Sequence, residues 1–139
     1  MEKDKTVVAF LMMNPFHHKI YREGYNGGGE YNGYVAFNAE LPNSWQGGAD
    51  LSDDDTPVLD HIVDVHGGIT FDRPMSELLD NPIIPLTSIP NPETLKTFRC
   101  IGFDTLHCDD TKARWPIDAV KNETLNLMEQ IKELIAEKL

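Results

Sequence analysis

The chain alternates between short apolar runs and long polar or glycine-rich intervals, and ends in a long amphipathic segment. Thr6 to Met12 is rich in valine and phenylalanine and alternates weakly, which predicts a buried β-strand that Asn14-Pro15 brings to a stop. Gly33 to Asn38 predicts a second strand, with Val35 and Phe37 on one face. His61 to Val65 predicts a third, short strand, with Val63 and Val65 sharing a face and Asp64 and His66 on the opposite one. Gly67-Gly68 allows a bulge or tight turn before Ile69 to Phe71 resumes extended structure. Pro74 to Leu79 suits one or two helical turns. The proline-rich stretch Asn81 to Pro92 predicts an extended loop. Phe98 to Asp104 predicts the last strand, with Ile101 and Phe103 facing one way and Cys100, Gly102 and Asp104 the other.

A helix is predicted from Asp118, as its N-cap, to Lys138. Ile117, Val120, Thr124, Leu127, Ile131, Leu134 and Lys138 fall at three- and four-residue spacing, and Leu125, Met128 and Ile135 widen the stripe. Such a stripe packs on a sheet, and the same surface is suited to a dimer. Together these elements predict one α+β domain over residues 1–139. A mainly antiparallel sheet of about four or five strands carries the C-terminal helix on one face.

The remaining segments are irregular. Phe16 to Gly33 holds His17, His18 and two echoes, Tyr25-Asn26-Gly27 and Tyr31-Asn32-Gly33, and predicts a hairpin or loop. It lacks the ending of a phosphate-binding P-loop and the spacing of a dinucleotide fingerprint. Leu41 to Thr56 is a long polar loop whose aspartates lack the glycine and closing glutamate of an EF-hand.

Charge narrows the function classes. There are 23 acidic against 12 basic residues, a net charge of −11 that repels phosphate backbones and makes nucleic acid an unlikely partner. No apolar run reaches the ~20 residues of a membrane span, and Glu2 and Asp4 argue against a signal peptide, so the expectation is a cytoplasmic protein. The two cysteines, Cys100 and Cys108, match no zinc or redox spacing. Cys100 reads as a buried apolar residue.

Candidate chemistry concentrates after the last predicted strand, where Asp104, His107, Asp109 and Asp110 lie within seven residues. If the helix covers the apolar face and the third and last strands are neighbours, His66 and Asp104 share the other face. The polar site would then lie on that face or at the sheet end, overhung by the proline-rich and glycine-rich loops. Three chemistries fit. Asp104, His107 and Asp110 with His66 suit a divalent metal that activates water for hydrolysis. His66 and Asp104 suit a metal-free acid/base pair. The same groups suit hydrogen bonding to a polar small ligand without reaction. A turn cap, a packed imidazole and solvated aspartates account for them with no ligand at all; an acidic protein-interaction module would then be the function.

The ordered motifs Gly33-Tyr34-Val35, His66-Gly67-Gly68-Ile69-Thr70 and Ile101-Gly102-Phe103-Asp104 through His107 to Asp110 resemble a family of small uncharacterised phage, prophage and bacterial proteins. That family's pattern is a Gly-Tyr-Val strand, a His-Gly-Gly-Leu-Thr stretch, a Trp-Trp-Ile-Gly-Phe-Asp-Cys-Ala-His-x-Gly-Asp stretch and a C-terminal helix. The resemblance covers Tyr31 to the end. It implies His66, Thr70, Asp104, His107 and Asp110 as site residues. It also implies a phage-encoded protein in the host cytoplasm, with a nucleotide signal as one ligand. The chain departs from the pattern at Arg99-Cys100, Thr105-Leu106, Asp109 and Asn32, which tells against a cysteine-based role.

Overall fold

A computed structural model describes residues 6–13, 29–42, 59–105 and 113–137. Five antiparallel strands form one sheet: β1 (Val7–Met13), β2 (Tyr31–Phe37), β3 (Phe71–Pro74), β4 (Ile84–Pro85) and β5 (Arg99–Phe103), in the order β3-β5-β2-β1-β4. A short helix, α1 (Pro92–Leu95), precedes β5, and the long helix α2 (Ile117–Glu137) closes the chain. The architecture is α+β with the C-terminal helix on one face, as the hydrophobic pattern predicts.

Alternation in the three central strands sorts their side chains. Ala9, Leu11, Val35, Phe37, Ile101 and Phe103 meet Val120, Leu127, Met128, Ile131 and Ile135 of α2. Full burial of one such side chain stabilises by roughly 1.5–3 kcal/mol. Helix α2 begins at Ile117, one residue before the predicted start. Pro116, not Asp118, supplies the first accepting carbonyl, to Ala119 and Val120. Asp118 lies in the first turn, where its charge favours the helix dipole. The predicted stripe is buried within this one chain, so core packing accounts for it; Lys138 lies outside the described residues.

Thr124 is the one polar member of the buried stripe. Its hydroxyl donates to the Val120 carbonyl at 2.6 Å, and it lies directly over Gly33 of β2. A side chain at Gly33 would overlap both Thr124 and the Phe103 ring. Glycine here sets how closely α2 approaches the sheet.

The second face of the sheet is also covered, which the sequence pattern does not anticipate. Val8, Phe10, Tyr34, Ala36 and Cys100 pack under Met75, Leu95 and Phe98, with Ile83 and Ile89 at the margin. A single 3-10 turn at Met75–Glu77 and helix α1, capped by Asn91 accepting from the Thr94 N–H at 3.0 Å, supply most of that cover. The proline-rich stretch is no open flap: Ile84–Pro85 pairs with β1, and the Thr87 hydroxyl accepts from the Ala9 N–H at 3.1 Å. Cys100 is fully buried, as expected, and burial holds its thiol far above the ordinary range. Apolar side chains of the described residues thus cover much of the face on which one expectation placed the polar site.

The third predicted strand is corrected. Residues 59–61 form a 3-10 turn and residues 62–70 join no sheet; the strand pairing with β5 is Phe71–Pro74. Val63 and Val65 are nevertheless buried in the helix-side core. Among the described residues, no helix is long and apolar enough to cross a membrane. The segments 14–28 and 43–58, which hold most of the glycine-rich stretch and the acidic loop, lie outside the described residues.

Candidate functional site

Strand β5 has a polar device at each end. At its start, Arg99 forms a two-pronged ion pair with Asp72 of β3, Nε to Oδ1 at 2.9 Å and Nη2 to Oδ2 at 2.7 Å. Its remaining donors reach the carbonyls of Leu41 and Pro42, both at 3.0 Å, and the guanidinium lies 5.6 Å from the Phe37 ring centre. The planar fork matches a carboxylate, so the pair ties the outer strand and the segment after β2 to one point. Arg99 entered the sequence analysis only as a departure from an aromatic pair. Its role here is to hold the sheet together.

At its end, Phe103 packs 6.5 Å from Trp115 on the helix side, and Asp104 follows, half-buried. Thr105 is fully buried. Its N–H donates to Asn32 Oδ1 at 3.2 Å, its hydroxyl donates to the Tyr31 carbonyl at 2.7 Å, and its carbonyl accepts from the Gly29 N–H at 2.6 Å. Asn32 also hydrogen-bonds the Tyr34 side chain. The phenol of Tyr34 is raised above its ordinary value, chiefly by burial. The bond to Asn32 partly offsets this, and Cys100 and Asp104 add to it. Asp104 is thus within electrostatic reach of Tyr34.

His66 reaches the same end of the sheet by a different route. The Val65 carbonyl accepts from the Gly68 N–H at 2.8 Å, and Gly67 has φ +69° while, among the described residues, none other than glycine has positive φ. This is the pattern of a type II turn with His66 at its first corner. Gly68 is also left-handed, at φ +81°, and lies against the Asp60 carboxylate, which accepts from the Ile69 N–H at 2.5 Å. Two consecutive glycines are what this backbone requires. Beyond the turn, the Thr70 N–H donates to the Gly102 carbonyl at 2.9 Å, which aligns the segment with the end of β5.

The predicted orientation of His66 is corrected. Its ring stacks on Trp115, centres 4.1 Å apart, and its N–H donates to Glu123 of α2 at 2.7 Å. Both partners belong to the helix side. The alternation argument failed because the segment before His66 is not a sheet strand. Thr70 is exposed beside β5. Thus Thr70 and Asp104 flank the end of β5, and His66 is linked to that end through Trp115, which lies against both His66 and Phe103. His107 and Asp110, with Cys108 and Asp109, lie outside the described residues.

Trp115, Glu123, Asn32 and Tyr34 were not singled out by sequence reasoning. Glu123 sits beside the apolar stripe of α2 and reads as solvated surface. Asn32 was noted only within the Tyr31-Asn32-Gly33 echo and as a departure from a family cysteine. Among the described residues, no three His, Cys, Asp or Glu side chains are grouped so as to hold a metal ion. No protein-family model, curated protein or solved structure significantly matches this chain. The resemblance described above therefore stands on its motif residues alone.

Proposed function

We propose that this end of the sheet binds a polar small molecule, with His66 and Asp104 as principal contacts and Thr70, His107 and Asp110 contributing. A nucleotide is one ligand class in keeping with the phage-protein resemblance. The observation that supports the reading most is the constrained placement of His66. A half-buried imidazole stands at the corner of a turn that two left-handed glycines make possible, at the end of the sheet where Asp104 emerges. Ordered presentation of a polar side chain lowers the ordering cost of binding.

The test is recovery of co-purifying small molecules, released by heat and identified by mass spectrometry, from the wild type, His66→Ala and Asp104→Asn. Loss of the same molecule from both variants, with thermal stability kept, is the expected result. Equal recovery from all three proteins would sink the reading.

A further inference from the structure

We infer that helix α2 acts as a positioning element for His66, with Glu123 setting its backbone and Trp115 its ring; this rests on the reading of His66 as a site residue. The segment leading to His66 pairs with no strand among the described residues. The side chains of α2 take a strand's place. Gln130 bonds both backbone groups of Asp64: its Oε1 accepts from the Asp64 N–H at 2.7 Å and its Nε2 donates to the Asp64 carbonyl at 2.8 Å. Seven residues earlier in α2, on the same side of the helix, the Glu123 carboxylate accepts from the His66 N–H at 2.7 Å. Between these two anchors the Val65 side chain enters the core.

After His66, the Val65–Gly68 bond and the Asp60–Ile69 bond fix the turn. The backbone is thus held before, at and after His66, and the ring lies against Trp115, two residues before the start of α2. A histidine serving only as packing needs the ring contact alone. Here a charged acceptor, the stronger kind of hydrogen-bond partner, is directed to the N–H of that same residue. Glu123 acts through the backbone of His66 and is a positioning residue.

The experiment needs no ligand. In a Trp45→Phe background Trp115 is the sole indole, because the chain has two tryptophans. The carbon-bound ring protons of His66 are then read by NMR, with Trp115→Leu as the control that removes the ring-current displacement. Glu123→Ala should move the His66 ring resonances more than halfway to the positions seen in Trp115→Leu. Glu123→Gln, whose amide oxygen accepts the same N–H, should leave them near wild type. The inference is overturned if Glu123→Ala leaves those resonances in place. It is equally overturned if Glu123→Gln displaces them as far as Glu123→Ala does. Failure of the ligand-recovery test removes the proposed function without moving these resonances, so the two ideas fail separately.

Discussion

The two ends of β5 solve opposite problems with polar groups. At the Arg99 end, charge meets charge: the guanidinium is bonded to Asp72 and to two carbonyls, and the Asp72 side chain is only 8% exposed. At the Asp104 end, neutral groups hold Thr105, and the carboxylates of Glu123 and Asp60 bond only backbone N–H groups of the His66 turn. Asn32, Thr105 and the backbone of Gly29 and Tyr31 form the network, while His66 is carried on a turn beside it. The first arrangement joins two strands and the segment after β2 at a single point. The second fixes the backbone around ionisable side chains. Polar residues in the sequence look alike at both ends; their partners tell them apart.

The largest expected effect is at the Arg99 end. Asp72→Ala leaves a mostly buried guanidinium without its carboxylate and should destabilise by about 3 kcal/mol. That corresponds to a melting temperature lower by roughly 10 °C for a chain of this size. Asp72→Leu combined with Arg99→Met should recover a good part of the loss, because removing both charges avoids stranding one. If the double variant is as unstable as the single one, the pair is not the fastener described.

At the other end the effects should be smaller. Thr105→Val keeps the shape but removes the hydroxyl from the Tyr31 carbonyl, at a cost of about 1–2 kcal/mol by denaturant titration. Gly67→Ala places a side chain at positive φ and should cost a similar amount, roughly 1–2 kcal/mol. Unlike Thr105→Val, it should also displace the His66 ring signals. A Gly67→Ala protein with unchanged stability would argue against the left-handed turn and its sharp presentation of His66.

The legibility of the fold divides along the same lines. Strands β1, β2 and β5 and helix α2 were readable because a residue buried on a regular element repeats with that element's period. The cover of the second face was not, since Met75, Leu95, Phe98, Ile83 and Ile89 come from a 3-10 turn, a four-residue helix and loops with no common period. The error at His61 to Val65 is instructive. Val63 and Val65 are both buried as the alternation implies, but the backbone of Asp64 and His66 bonds to Gln130 and Glu123 rather than to a strand. Hydrophobic pattern reports which side chains are buried; it is silent on what satisfies the backbone between them. For the same reason His66 and Asp104 could be nominated from the sequence as candidate site residues, while Glu123, Trp115 and Asn32 could not. Their significance lies in long-range partners, not in local motif.

The smallest predicted effect concerns pH and links Asp104 to the packed face. Burial raises the Tyr34 phenol above its ordinary value, with Asp104 among the contributing charges. A group whose folded pKa exceeds its unfolded one holds its proton more tightly in the folded state. Its contribution to stability is therefore fully present below the unfolded value, near pH 10. That contribution is lost as pH rises through the folded value. Wild-type protein should accordingly lose stability above about pH 10 more steeply than Tyr34→Phe, which has no proton to release there. Asp104→Asn removes a negative neighbour and should lower the Tyr34 pKa slightly, so the alkaline loss should be larger and extend to a higher pH with Asp104 present than without it. Ultraviolet titration of the phenolate alongside chemical denaturation checks both statements. An Asp104→Asn protein whose Tyr34 titrates as in the wild type would separate Asp104 from Tyr34 and place its carboxylate elsewhere at this end of the sheet.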